Sequence, residues 1–478
     1  MQRQIKSTQS LSPFTGLAYS IPVVPVVLLL GSTNVLSGLY AKHYGLSLGV
    51  ISMAVLLAGV FDAFTDPSIG YLSDRYHART GSRRPFVVGG ALLLIPSAWF
   101  LLSPPDGVTV VYFLFWYLAF YLASTMFTIP HLTWGGELCP NSVHRNRIFG
   151  YRNYGSYLGL TIFMVLPMTP LTDGSEVTPE VMRYLVIVAA VILLPSLYLF
   201  IRHVPTGVHR HDVARKTENP FRAMKALSHN KPLMLCISGA AFYFIALASD
   251  GGLKFMVMDA WLGIGDYYVH LFLLQLIVAT LTIGPGVRLM ERIGKKKSYL
   301  VALGLAIVSF LILPFALVRG DYSLLLYGLF NVTFGLSSAI GNVAFFSILS
   351  DLSDYGTLKS GVDRSATCFS LQSLASKTCL AMGIGFYIAL AGWFGFDPAT
   401  ERQPDGVYWG LVVAMAIIPT LCTVAAMICF SLIGVDERRH DIIRRRLDQR
   451  EDRLKRQTDQ SIGSPSGTVV KTAAVGEG

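Results

Sequence analysis

Charge is scarce in this sequence. Only 14% of its 478 residues are Asp, Glu, Lys or Arg, where a soluble domain carries about 25%. Apart from the tails and one mid-chain loop, no stretch is polar and long enough for a water-soluble domain. Cysteine is sparse as well. The six (Cys139, Cys236, Cys368, Cys379, Cys422 and Cys429) stand singly, with no CxxC and no histidine at ligand spacing. This excludes a disulfide framework and a cysteine metal centre, and cysteines in apolar runs behave as small hydrophobes. HExxH, a Walker lysine loop and a paired histidine cluster are missing, and no enzyme is expected. Arg3 and Lys6 precede an apolar run longer than a signal core, with no small-residue cleavage site after it, so no cleavable signal is expected.

What is abundant is apolar sequence: 53% of residues, with a mean hydropathy of +0.52. Stretches of about 20 apolar residues recur from end to end, the signature of membrane-spanning helices. The pattern predicts an all-α membrane protein of about twelve helices. Six occupy 17–38, 48–73, 85–103, 108–136, 146–168 and 181–201; six more occupy 233–258, 267–291, 298–318, 322–351, 365–394 and 408–434. The expected organisation is a short segment 1–16, a six-helix bundle 17–202, a linker 203–232, a second bundle 233–434 and a tail 435–478. The tail begins with a charged stretch at helical spacing and ends rich in Ser, Gly and Thr.

The net charge of +10 is read as topology rather than as a nucleic-acid surface, because Lys and Arg crowd alternate loops. One such loop holds Arg75, Arg79, Arg83 and Arg84; another is the mid-chain linker; a third holds Arg288, Arg292 and Lys295–Lys297. Both termini are therefore expected on the cytoplasmic side of a plasma (bacterial inner) membrane. The lipid bilayer and a small-molecule substrate are the expected partners, with no obligate protein partner evident. The two halves also echo each other: Gly70-x-x-x-Asp74-Arg75 before one basic turn resembles Gly286-x-x-x-x-Glu291-Arg292 before another.

Against this apolar background the second predicted helix carries Asp62, Thr65 and Asp66. An Asp at a helix centre costs at least about 2.5–3.5 kcal/mol on insertion scales, so its default reading is functional. Residues at i, i+3 and i+4 share one face. Two carboxylates in one place cannot both ionise cheaply, and a proton or Na⁺ relieves that repulsion. The alternative is a permanent ion pair. Arg152, flanked by Tyr151 and Tyr154, and Lys377 are the candidate counter-charges, and either could instead contact substrate or pin helices together. Gly155-x-x-x-Gly159 reads as close helix packing. Asp250 and Lys254 can satisfy each other at i,i+4. His131 is a candidate proton relay or a buried hydrogen-bonded histidine. Asp351 and Asp354 are placed at the end of the tenth helix, where salt bridges to cytoplasmic arginines could close that side in one state only.

Asp62-x-x-x-Asp66-Pro67-x-x-Gly70-x-x-x-Asp74, the turn Gly81-Ser82-Arg83-Arg84-Pro85, Asp351-Leu352-Ser353-Asp354-Tyr355-Gly356 and Gln372–Lys377 together resemble the glycoside–pentoside–hexuronide:cation symporters of the major facilitator superfamily. The resemblance runs from about residue 15 to 435. It implies two six-helix bundles, alternating access, a cation site at Asp62 and Asp66 with Thr65 beside them, and Arg152 and Lys377 near a central cavity. Asp74, Arg75, Asp351, Asp354 and Arg364 would be gating residues. The sequence departs from the family in three places. Thr128 stands where a relative has a third cation-site carboxylate. The stretch from Ile21 to Val27 is apolar where that relative has a sugar-gripping acid. Asp363-Arg364-Ser365-Ala366 replaces the usual start of helix eleven. The expected function is a secondary symporter coupling inward H⁺ or Na⁺ movement to uptake of a sugar or glycoside, hexuronides included, with no cofactor beyond the coupling ion. A carrier of a lysolipid-like amphiphile and a non-transporting membrane sensor are the alternatives.

Overall fold

The computed structural model describes residues 12–105, 107–138, 142–169, 178–206, 227–398, 403–404, 406–434, 442 and 449. Among them there is helix and turn but no strand. Apolar side chains facing lipid leave the backbone no outside partner, so each segment must satisfy its own N–H and C=O groups, and helix does so.

The first half comprises α1 (Pro13–Ser20), α2 (Val23–Tyr44), α3 (Leu48–Thr80), α4 (Arg84–Leu102), α5 (Val110–Leu138), α6 (Ser142–Val165) and α7 (Pro179–His203). The second comprises α8 (Lys231–Met256), α9 (Tyr268–Ile293), α10 (Lys295–Ala316), α11 (Ser323–Ser360), α12 (Ser365–Trp393), α13 (Val407–Val412) and α14 (Ile418–Ser431). A wide turn, Val257–Trp261, extends α8, and another, Val413–Ile417, joins α13 to α14. The first crossing is broken into α1 and α2 at Ile21 and Pro22, where proline supplies no N–H to the helix. Ten crossings are long and apolar enough to span a bilayer. The other two, α3 and α6, have 33 and 24 residues and carry the aspartate pair and Arg152. Helices thus stand at all twelve expected places, ten of them long and apolar enough to span.

Within the first half α4 packs on α5 and α2 on α6 and α7; within the second α10 packs on α11 and α8 on α12 and α14. The glycine spacing in α6 does what it predicts. A Cβ on Gly155 would strike the Ser20 carbonyl, and one on Gly159 the Val24 carbonyl. The halves meet along α3 against α12, α6 against α9 and α11, and α5 against α12. One apolar core lies inside the first half, and another runs across the interface, joining Ile129, Leu132, Phe149 and Tyr157 to Ile340 and Phe369.

Several helices outrun their predicted ends, and three of them take in charged residues by doing so. α3 continues through Asp74 and Arg75 to Thr80, and Gly81 in the left-handed region (φ 70°) closes it. α11 continues to Ser360, so Asp351 and Asp354 lie inside it rather than at its end, a correction to the sequence reading. α6 begins at Ser142 and so includes Arg145. Polar residues near a helix end look like loop in a sequence, yet here Asp74, Arg145, Asp351 and Asp354 each have a partner on another helix. Almost all of the charged tail after Gly434 lies outside the described residues, as does most of the linker.

Candidate cation site and closure between the halves

α3 places Asp62 and Asp66 one turn apart on the face that meets α12, 5% and 0% exposed. Lys377 on α12 answers both carboxylates. Its Nζ donates to Asp62 Oδ2 at 2.9 Å and stands 3.0 Å from Asp66 Oδ2. Asp66 also accepts from Thr125 Oγ1 of α5 at 2.8 Å and from Ser373 Oγ of α12 at 2.9 Å. Asp62 Oδ1 is buried and accepts no hydrogen bond. A buried acceptor left unmade costs about 1–3 kcal/mol or more when charged, so this oxygen is the place where an added cation gains most. Two carboxylates and one ammonium, all ionised, leave one negative charge, which a single monovalent cation neutralises. The Lys377 side chain is 39% exposed, while both carboxylates are buried.

The other expected site residues are distributed differently. Thr65 is half-buried and its hydroxyl donates to the Phe61 carbonyl at 3.0 Å, within its own helix. The α5 hydroxyl on Asp66 belongs to Thr125, not to Thr128 three residues later, and no described contact joins Thr128 to either carboxylate. An α-helix advances its face by about 100° per residue, so the three-residue difference keeps the same side of α5 but shifts the depth by most of a turn. Arg152 does not pair with the aspartates. Its guanidinium lies 5.6 Å from the centre of the Phe346 ring, its Nε is buried without an acceptor, and no described carboxylate forms an ion pair with it. Tyr151 packs where α1 passes at Gly16, while Tyr154 is 38% exposed with its hydroxyl beside Gly284 of α9. His131 is fully buried inside the first half. It stacks on Tyr19 at 4.1 Å, with Phe127 at 5.0 Å, and its Nε2 lies 3.0 Å from the Tyr19 carbonyl. These contacts are those of the buried, hydrogen-bonded histidine, the other of its two readings. Asp250 and Lys254 pair at 3.4 Å, with Gln275 and Asn331 accepting from the same ammonium.

At the end carrying the basic loops, the halves are bolted together. Asp74 Oδ1 accepts from Arg83 Nη2 and from the Ala366 N–H, both at 2.9 Å; Asp74 Oδ2 accepts from Thr367 N–H at 2.8 Å and its hydroxyl at 2.7 Å. A carboxylate of one half thereby caps the first turn of a helix in the other, where free N–H groups and the helix dipole favour an anion. Arg83, 1% exposed, also holds Glu137 Oε1 of α5 at 2.8 Å. Gly70 lets α3 approach, since a Cβ there would strike the Ala366 carbonyl and Ser370. Across the interface, Arg145 of α6 donates to Asp351 at 2.6 Å and Asp354 at 2.9 Å, and Lys295 contacts Asp351 from α10. Arg147 and Glu291 pair at 2.7 Å. Arg75, expected among the gating residues, is exposed and has no described ion pair; Arg83 is the arginine of the turn that pairs with Asp74 and Glu137. Arg364 stands half-buried at the start of α12 beside the Asp74 contact.

Sequence reasoning missed Thr125, Ser373, Glu137 and Arg145. For Arg145 a signal existed: two aspartates three residues apart need a cation, and His144-Arg145-Asn146-Arg147 offers two. For Thr125 and Ser373 none did, because a hydroxyl in an apolar helix usually bonds its own backbone. The weak repeat between the halves has a spatial counterpart. Arg83 with Glu137 in the first half corresponds to Lys295 with Asp351 in the second.

The sequence profile of the MFS/sugar transport protein family matches residues 17–437. The glucuronide carrier protein homolog of Escherichia coli (strain K12) is 25% identical over 391 residues, covering 80% of this chain and 83% of that protein. The isoprimeverose transporter of Lactiplantibacillus pentosus is 25% identical over 357 residues, 72% of each chain. The human sodium-dependent lysophosphatidylcholine symporter 1 is 23% identical over 427 residues, 81% of this chain and 77% of that one. Among solved structures, a bacterial homologue of the iron transporter ferroportin in an outward-facing state superimposes with a TM-score of 0.60 at 15% identity, over 88% of this chain and 100% of that one, which shows the shared fold. With the aspartate–lysine cluster in place and the family profile spanning nearly every helix, the chain belongs to the MFS/sugar transport protein family, in the branch that resembles the glycoside–pentoside–hexuronide:cation symporters.

Proposed function

We propose that this protein is a secondary active symporter that couples inward movement of Na⁺ or H⁺ to uptake of a sugar or glycoside, hexuronides included, by alternating access. The observation that carries this reading is the Asp62–Asp66–Lys377 cluster, with one unsatisfied carboxylate oxygen, built from helices of opposite halves. A cation entering at Asp62 Oδ1 competes with the lysine for the same two carboxylates. It weakens the link between α3 and α12 and frees Lys377 to face substrate together with Arg152 and Tyr154. The bolts around Asp74 and Arg145 then open as the halves rock, and the load is released on the side of the basic loops. On this reading that side and both termini are cytoplasmic, in the plasma (bacterial inner) membrane. An entering charge gains about 2.3 kcal/mol per 100 mV, and about 1.4 kcal/mol sustains a tenfold gradient, so one cation per cycle supports more than tenfold accumulation. Uptake into energised vesicles across a panel of sugars, glycosides and hexuronides tests the proposal. Asp62→Asn and Asp66→Asn are expected to abolish accumulation above the outside concentration while leaving equilibration. Concentrative uptake that survives both substitutions sinks the coupling assignment.

A second reading, an amphiphile of lysolipid type, is favoured by the apolar stretch from Ile21 to Val27 and by similarity to the lysophosphatidylcholine symporter. Competition of uptake by lysolipids but not by sugars would select it.

A further inference from the structure

His77 of α3, Glu137 of α5 and Asp363, in the turn before α12, bring one ligand atom each to within 4.8 Å of one another at the closed end of the molecule. His77 is 5% exposed. Its Nε2 lies 3.9 Å from Glu137 Oε2, a buried oxygen that accepts no hydrogen bond, while Glu137 Oε1 is held by Arg83. Asp363 turns Oδ1 to the N–H and hydroxyl of Ser365. Arg83 pairs with Asp74 and Glu137, each through a short contact.

We propose that His77, Glu137 and Asp363 form a binding site for a divalent transition cation of the zinc class, and that its occupation staples the two halves together at this end. One imidazole and two carboxylates suit Zn²⁺, which takes three protein ligands and a water at about 2.0–2.2 Å. Bond lengths of that size place ligand atoms closer than the present spacing, a contraction that side-chain rotation of Glu137 and Asp363 supplies. Glu137 keeps its bond to Arg83 through one oxygen and offers the other to the metal, and a carboxylate held by an outer partner is an oriented ligand. Because Asp363 belongs to the second half and the other two ligands to the first, the site exists only while α3 and α12 are in contact here. A ligand that binds one conformation shifts the population toward it, so the metal holds the protein closed at the basic end.

The test is calorimetric titration of the full-length protein in detergent with Zn²⁺, alongside its thermal unfolding. Saturable binding at one equivalent and a rise in melting temperature are expected. His77→Gln and, independently, Asp363→Asn should each weaken binding by at least about tenfold, the minimum expected for losing one ligand, while His203→Gln and His270→Gln at exposed positions leave it unchanged. Mg²⁺, which prefers an all-oxygen octahedral site, should not substitute. Absence of saturable binding, or binding undiminished in both His77→Gln and Asp363→Asn, overturns the proposal. These readouts need no transport, so they stand or fall apart from the symport reading. In vesicles, Zn²⁺ on the side of the basic loops should slow uptake in the unaltered protein and not in His77→Gln.

Discussion

The backbone N–H of Thr367 in α12 donates to the carboxylate of Asp74 in α3 at 2.8 Å, so a residue of one half completes the helix start of the other. Hydrogen bonds to a charged group contribute about 1.5–3 kcal/mol each, and Asp74 makes two to backbone N–H groups of α12 and one to the Thr367 hydroxyl. Asp74→Asn keeps the shape and removes the charge. It is expected to raise the population open at the basic end by about ten- to a hundredfold, which corresponds to about 1.4–2.7 kcal/mol. Cys368, 1% exposed beneath this contact, is the reporter: with the other cysteines replaced by serine, its labelling by a maleimide should accelerate in Asp74→Asn. Unchanged labelling would show that the cap does not hold this end shut.

Gly70 should tolerate no side chain. Gly70→Ala puts a methyl group against the Ala366 carbonyl and Ser370, and overpacking of this kind costs about 1–3 kcal/mol. The cost falls only on the conformation closed here. Cys368 labelling should therefore rise and the accumulation ratio fall, with little loss of thermal stability. A large drop in melting temperature instead would assign Gly70 to general packing.

Arg145 is 1% exposed and spans Asp351 and Asp354. Removing one partner of a buried ion pair typically costs 3–5 kcal/mol, because the remaining charge stays buried. Arg145→Ala should lower the unfolding temperature markedly. Adding Asp354→Asn in the same chain should recover part of the loss, since Lys295 still serves Asp351. Equal stability of single and double variants would mean the network is not coupled.

Lys377→Gln takes away the built-in competitor for the aspartates while keeping a hydrogen-bond donor. The half-saturating concentration of the coupling cation, read from ligand-free thermal stabilisation, should fall by about tenfold, or about 1.4 kcal/mol. Weaker cation binding would instead make the lysine part of the ion site.

His131→Phe preserves the aromatic stack with Tyr19 and Phe127 and loses one hydrogen bond to the Tyr19 carbonyl. Cation-dependent uptake should persist with at most a stability loss of about 1 kcal/mol. Loss of coupling with intact folding would restore the relay.

The helical architecture was legible because lipid imposes a single rule on every crossing: apolar outside, backbone satisfied within. The aspartate pair on α3 was legible for the same reason, since a charge inside such a run has no other excuse, and Lys377 stood out by the identical logic. Where the reading failed, the cause was local. Thr125 and Thr128 look alike in a helix, and only the depth at which α5 crosses α3 decides which one meets Asp66. Arg75 and Arg83 look alike in a basic turn, but one points outward and the other folds under α3 to reach Asp74 and Glu137. Asp351 and Asp354 looked like a helix end because charge usually marks one; α11 runs on for six residues beyond Asp354, and the partners lie on α6.

The 38 residues of α11 make a rod of about 57 Å at 1.5 Å per residue, nearly twice the roughly 30 Å of a bilayer's oily interior. Even strongly inclined, such a rod emerges well past the acyl chains on the flank where Asp351 and Asp354 sit. Those carboxylates and Arg145 accordingly part into headgroups and solvent when they separate, not into oil. Breaking the latch then asks for rehydration, which water supplies at once, so the proposed opening of this end exposes no bare ion to hydrocarbon.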